Sequence, residues 1–290
     1  MRKGILILAL LAMFFPSVGA AGGNTTNDSF AQAKKMLSQV YADHRVTFYC
    51  GASYDEHGNV SLPEGFITPK HEKRAAKIEW EHSLPAENFG QTFEEWRTGS
   101  PECIHGGKPF KGRKCAEKAN IEYRYMQADM YNLFPAIGAV NALRSNFNYA
   151  VLPGETSTFG ACEMKISDRK AEPPVRSRGQ IARTYLYMQD AYGSRYHMSH
   201  QQEQLMVAWD RQYPVDRWEC TRARRIEALQ GNENKYVKDA CQQIGLWCSS
   251  SCIDPPFESR YFFTKRVRML SCIRHLGINP CPDEIRTPGS

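Results

Sequence analysis

The amino-acid sequence predicts an α+β fold in which helices dominate. Strand-like alternation is confined to the first third of the chain, at residues 46–50 and 78–82. Further along, apolar residues recur at spacings of three and four, the period of a helix that buries one face. No long β-rich run and no internal repeat follows, so a helix-rich domain with a small sheet is the architecture expected. With 290 residues, 42% of them hydrophobic, the chain can build one large core and still carry an appendage.

Residues 1–20 are set aside first. Arg2 and Lys3 precede an apolar run from Ile5 to Phe15, and Ser17-Val18-Gly19-Ala20 supplies a cleavage site after Ala20, the pattern of a secretory signal peptide. That apolar core is too short to span a bilayer comfortably, and no later stretch approaches the roughly 20 apolar residues of a membrane helix. The mature protein is expected to be periplasmic or secreted, monomeric and free of membrane.

Cysteine usage agrees with export. Cys50, Cys103, Cys115, Cys162, Cys220, Cys241, Cys248, Cys252, Cys272 and Cys281 form an even set without a histidine-rich segment for zinc, so disulfides are expected. Cys103 and Cys115 flank a short Gly- and Lys-rich loop and are the first pair expected. The net charge of +6 is locally concentrated. Lys108, Lys111, Arg113 and Lys114 crowd one loop, Arg176, Arg178 and Arg183 form a second group, and Arg222, Arg224 and Arg225 a third. Such clusters attract a polyanion, DNA above all, with ordinary solubilising charge as the alternative.

In chain order, residues 31–42 read as an amphipathic helix that Asn27 or Asp28 can cap. Residues 46–50 read as a strand and His57-Gly58-Asn59 as a turn. Ile78-Glu79-Trp80-Glu81-His82 places Ile78 and Trp80 on one face of a half-buried strand and Glu79 and Glu81 on the other, with Pro85 closing the run. Thr92 opens a short helix through Arg97, and residues 99–114 form an exposed loop. Ala119, Tyr123, Met126, Met130 and Leu133 predict one helix ending near Asn132, ahead of Pro135, with Asp129 and Asn132 on a common face. Helices follow at 182–192, 201–209 and 218–229, the last carrying the third basic group on its exposed face. Tyr185, Tyr187 and Tyr192 are expected to pack in the core, with stacking on bases as the alternative.

Chemistry concentrates at the end of the second strand. A carboxylate oxygen holds a hard cation such as Mg²⁺, and a neutral imidazole takes a proton from water near neutral pH, so Glu81 beside His82 suggests both. Glu81-His82 after Ile-Glu-Trp is followed by Pro85-Ala86-Glu87-Asn88-Phe89-Gly90. Further on come Asp129-Met130-Tyr131-Asn132-Leu133-Phe134-Pro135-Ala136-Ile137-Gly138, then Asn141, Arg144, Ser145, Asn146 and Phe147. In these motifs the chain resembles the bacterial endonuclease I family, from about residue 31 to 241. The resemblance implies a ββα-metal (His-Me finger) core within residues 21–241. It also implies a non-specific, metal-dependent endonuclease that hydrolyses DNA, and RNA as a second candidate substrate, to 5′-phosphate products.

Residue by residue, the resemblance implies Glu81 and Asn132 as ligands of Mg²⁺, with Ca²⁺ or Mn²⁺ able to substitute in binding, and His82 as general base. An arginine near the site, Arg113 or Arg97, would stabilise the transition state. Lys108, Lys111, Lys114, Arg144 and Asn146 are candidates for binding substrate; Asn141, Arg144 and Asn146 could instead support the site. Asp129, Glu117 and Glu122 compete for the metal, with capping or salt bridging as their alternative. His44, His57, His105, His197 and His200 read as structural or surface residues. The resemblance stops at Cys241, and residues 242–290 are expected to be a disulfide-rich extension, with zinc as the alternative. The competing function is an exported basic module that binds DNA or another polyanion without cutting it; intact Glu81, His82 and Asn132 favour the enzyme.

Overall fold

The computed structural model of the chain describes residues 22–247. The signal peptide and the expected pairing of Cys248, Cys252, Cys272 and Cys281 lie outside the described residues. Helix α1 (Phe30–Val40) begins where the Ser29 hydroxyl accepts from the Gln32 N–H, so Ser29, rather than Asn27 or Asp28, is the cap. Its buried stripe is Ala33, Leu37 and Val40, as the period predicts. Residues 46–50 do not form the expected strand. Only Val46 bridges to Ser53, and the Phe48 N–H is drawn away to the Pro135 carbonyl.

After a short helix, α2 (Glu72–Ala75), comes the predicted strand β1 (Ile78–His82). Helices α3 (Ala86–Gly90) and α4 (Glu94–Arg97) follow. Residues 99–114 are more ordered than their composition suggests. They fold into a hairpin of β2 (Ile104–His105) and β3 (Lys108–Pro109), tied to the next helix by the Cys103–Cys115 disulfide.

The single helix expected through Asn132 is instead three pieces and a strand: α5 (Arg113–Ala119), α6 (Ile121–Gln127), a 3₁₀ turn (Met130–Asn132) and β4 (Leu133–Ile137). Two side chains divide it. Asn120 accepts from the Tyr123 N–H and starts α6 afresh, and Asp129 accepts from the Tyr131 N–H and starts the 3₁₀ turn. Pro135 sits inside β4 without costing a ladder bond. Its carbonyl accepts from Phe48 on the outer edge, and the missing N–H would have pointed the same way.

Strands β1 and β4 pair antiparallel, from Ile78 opposite Ile137 to His82 opposite Leu133. Helix α7 (Gly138–Arg144) follows β4 and packs on both strands. Gly138 is required at its start, since a Cβ there would lie 2.5 Å from the Arg74 carbonyl oxygen. A three-stranded sheet of β5 (Asn148–Tyr149), β6 (Lys165–Ser167) and β7 (Lys170–Glu172) has the order β5-β7-β6. The rest is helical: α8 (Val175–Ala191), α9 (His200–Gln212), α10 (Arg217–Gln230) and α11 (Lys235–Gln243). Tyr185, Tyr187 and Tyr192 are buried, so they pack in the core and do not face substrate. Besides Cys103–Cys115, disulfides join Cys50 to Cys162 and Cys220 to Cys241. Among the described residues no helix is long and apolar enough to cross a membrane.

Much of the second and third basic groups is turned inward. Arg183 is buried against Glu219 and Asp210, and Arg178 pairs with Glu172. Arg222, expected on an exposed face, is buried and donates to the Tyr41 hydroxyl and to the carbonyls of Met130 and Leu133. Arg225 pairs with Asp43. Buried acids and unpaired carbonyls need donors, and these guanidiniums supply them.

Candidate active site

Residues two apart on a strand share a face, and residues three apart on a helix are neighbours. β1 and α7 use both rules. Glu79 Oε2 accepts from Asn141 Nδ2 at 2.7 Å, and Glu81 Oε1 accepts from Arg144 at 2.8 Å. Arg144 also donates to the carbonyls of His82 (2.8 Å) and Ser83. It thus fastens the strand end that the sequence singled out. Tyr49 donates to the same Glu81 oxygen at 2.8 Å, and with its proton committed it accepts from the Tyr149 hydroxyl at 2.6 Å. Glu81 is only 3% exposed. Burial pushes its carboxyl above the usual range, while Arg144 and Tyr49 pull it back.

The other oxygen, Oε2, has no hydrogen-bond donor among the described residues. Glu81 is therefore held by one oxygen and open at the other.

His82 is fixed from the opposite side. Its Nε2 lies 2.9 Å from the carbonyl oxygen of Gln127, the last residue of α6, where a helix leaves carbonyls unpaired. A carbonyl can only accept, so Nε2 carries the proton and Nδ1 keeps its lone pair. Burial, reinforced by the Arg113 and Arg144 charges and opposed by the Gln127 bond, pushes the imidazole pKa down to about 3. The ring is thus neutral at neutral pH, with its lone pair on Nδ1 set by the Gln127 bond and its proton affinity lowered by burial and the two arginines.

Asn132 lies at the end of the 3₁₀ turn, where its backbone carbonyl accepts from the Ser83 N–H at 3.0 Å. Its amide makes a reciprocal pair with Leu84, Oδ1 accepting from the N–H at 2.7 Å and Nδ2 donating to the carbonyl at 2.9 Å. One Oδ1 lone pair remains. No cluster of three or more His, Cys, Asp or Glu side chains able to hold a metal occurs among the described residues. One open carboxylate oxygen and one amide oxygen nevertheless suit Mg²⁺, which keeps several waters and takes one or two carboxylates.

Asp129 and Asn132 do not share a helical face. Asp129 is buried and accepts from Tyr187, Tyr192, Gln230 and the Tyr131 N–H, so its carboxylate braces the turn that carries Asn132. Glu122 pairs with Arg195, and Glu117 is exposed on α5.

Of the two candidate arginines, Arg113 is exposed at the start of α5 and its charge acts on His82. Arg97 donates to the Gln91 carbonyl at 2.7 Å, and no contact connects it to Glu81 or His82. Lys108 and Lys111 are exposed on the segment that leads to Arg113, and Lys114, also exposed, follows it in α5. Arg144, read as a possible contact to substrate, is 0% exposed and belongs under the site. Asn146 bonds Glu87 at 2.7 Å. Sequence reasoning missed Tyr49 and the Gln127 carbonyl. A tyrosine in a misread strand carried no signal, and a backbone acceptor has no residue type to read.

Fold and site together define a disulfide-bonded α+β protein that presents a half-held carboxylate and a neutral imidazole beside exposed cationic groups. The chain belongs to the endonuclease I family, whose sequence profile, described as Endonuclease I, matches residues 23–241. It is 41% identical over 243 residues to an extracellular deoxyribonuclease of Aeromonas hydrophila, covering 81% of this chain and 98% of that relative. A periplasmic deoxyribonuclease of the same organism is 42% identical over 222 residues, with 74% and 87% covered. Endonuclease-1 of Buchnera aphidicola subsp. Acyrthosiphon pisum (strain APS) is 36% identical over 222 residues, with 74% and 83% covered.

Proposed function

We propose that the mature chain is a periplasmic or secreted, metal-dependent endonuclease that hydrolyses DNA with little sequence preference and leaves 5′-phosphate ends. The observation that carries this reading is the pair at the end of β1: Glu81 open at Oε2, and His82 with its lone pair on Nδ1. Membership of a nuclease family and relatives named deoxyribonucleases support DNA as substrate. In this reading β1, β4 and α7 are the ββα unit of a His-Me finger nuclease.

His82 Nδ1 takes the proton of the water that attacks phosphorus, and the Gln127 carbonyl keeps the ring in the tautomer that does so. Arg113 balances negative charge that gathers on the phosphoryl oxygens. Glu81 and Asn132 would hold Mg²⁺, which when bound supplies Lewis-acid stabilisation of the phosphoryl and departing 3′ oxygens. Tyr49 and Arg144 hold Glu81 Oε1 and so aim Oε2. Contacts to phosphate and sugar, and none to base edges, account for the lack of sequence preference.

Supercoiled plasmid incubated with the oxidised mature chain tests this directly. Nicking and then fragmentation are expected in Mg²⁺ and none in a chelator, with ends that ligate without a kinase. Plasmid that is retarded in a gel but stays uncut in Mg²⁺ would leave a binding module in place of the enzyme.

A further inference from the structure

Helix α1 brings groups to this strand end that the nuclease reading does not use. The Phe30 ring lies against the His82 imidazole, with centroids 5.1 Å apart and planes inclined by 35°. Two cations approach that same ring. Lys34 Nζ is 4.8 Å from its centroid and the Arg113 guanidinium carbon 5.4 Å, so the two charges are at most about 10 Å apart. Lys34 follows Phe30 by one helical turn, which fixes the first contact; Arg113 arrives separately, from α5.

An aromatic face attracts a cation without neutralising it. Neither Lys34 nor Arg113 forms an ion pair among the described residues, and Asp28, just ahead of α1, is taken by Arg124 at 3.0 Å. Two like charges held near one ring repel each other until an anion sits between them. Each strand of B-DNA carries one charge per about 3.4 Å of axis, so cations no more than about 10 Å apart can meet neighbouring phosphates of one strand.

We propose that Lys34 and Arg113, both resting on Phe30, form a two-cation subsite in which Arg113 faces the phosphate that is cut and Lys34 the backbone phosphate adjoining it. Lys34 is a substrate-binding residue of this subsite. Phe30 is a positioning residue, acting through the plane of the His82 ring and the placement of both cations. The inference rests on the nuclease reading and adds to it a residue-level account of how substrate is gripped.

The test measures binding of a fluorescent duplex in Ca²⁺ across a salt series, together with single-turnover cleavage in Mg²⁺. Lys34→Gln should lower the log–log salt slope by about one unit and weaken binding roughly threefold to tenfold near 0.15 M salt, on any sequence. The loss should fall more on binding than on the rate at saturating enzyme. Lys34→Arg should restore the slope. Phe30→Leu keeps the apolar bulk but loses the ring, and should cut the saturated rate roughly tenfold. An unchanged slope in Lys34→Gln, with wild-type cleavage intact, overturns the subsite alone. A wild-type chain that neither binds nor cuts DNA overturns the nuclease reading and the subsite together.

Discussion

Replacing Arg144 with methionine keeps most of the apolar stem but removes the guanidinium that joins Glu81, His82 and Ser83. Glu81 Oε1 is then left with Tyr49 as its donor, at a site 3% exposed, and two strand-end carbonyls lose theirs. Breaking one side of a buried ion pair costs about 3–5 kcal/mol, because the remaining charge is stranded. Protonation of Glu81, which burial already favours, recovers part of this, and the two carbonyls left without the guanidinium offset that recovery. We therefore expect a net loss of about 4 kcal/mol. At about 2–4 °C per kcal/mol for a chain of this size, Tm should fall by roughly 8–16 °C. Thermal unfolding followed by circular dichroism at pH 7, without reductant, measures this. Arg144→Lys should recover part of the loss. A shift below about 3 °C for Arg144→Met would refute the clamp. A salt slope reduced by about one unit in a folded Arg144→Met variant would put Arg144 on DNA after all.

Removing the Cys50–Cys162 disulfide, which spans 112 residues, should cost about 4–5 kcal/mol in urea denaturation. Removing Cys103–Cys115, which spans 12, should cost about 3 kcal/mol, and the reverse order would contradict loop closure in the unfolded chain as the source of the stabilisation. The buried neutral His82 has a pH signature. Its folded pKa of about 3 lies below the ordinary 6.5, so its contribution is complete above pH 6.5 and is lost as pH falls from there toward 3. Between pH 7 and 5 the wild type should lose about 2 kcal/mol more than His82→Gln; parallel curves would argue against a buried neutral ring. If the exposed loop binds backbone, Lys108→Ala with Lys111→Ala should flatten the salt dependence of DNA binding by about two units, and an unchanged slope would leave these lysines a solubilising role.

The part of the site made of side chains in a clear period was legible in the sequence. β1 follows from strict alternation, and its faces are those predicted, Glu79 and Glu81 toward α7 and Trp80 toward Tyr41. The break between α5 and α6 was not legible, because apolar spacing continues across it while the capping of Asn120 decides the matter. β4 was hidden by Pro135, which reads as a helix stop until its carbonyl is seen to serve Phe48 on the outer edge. The same limit explains the arginines. A cluster in sequence predicts a charged surface, but Arg222 meets the carbonyls of Met130 and Leu133, and Arg183 meets Glu219, only once the helices have packed. The imidazole tautomer depends on a backbone carbonyl 45 residues away and is a property of the fold.

Single-turnover cleavage by His82→Ala, with duplex binding measured separately in Ca²⁺, tests the central claim most directly. Loss of the general base should slow cleavage by about two to four orders of magnitude and change duplex affinity by less than about threefold. Cleavage at the wild-type rate by a folded His82→Ala variant would contradict the assignment of His82 as the group that takes the proton of the attacking water.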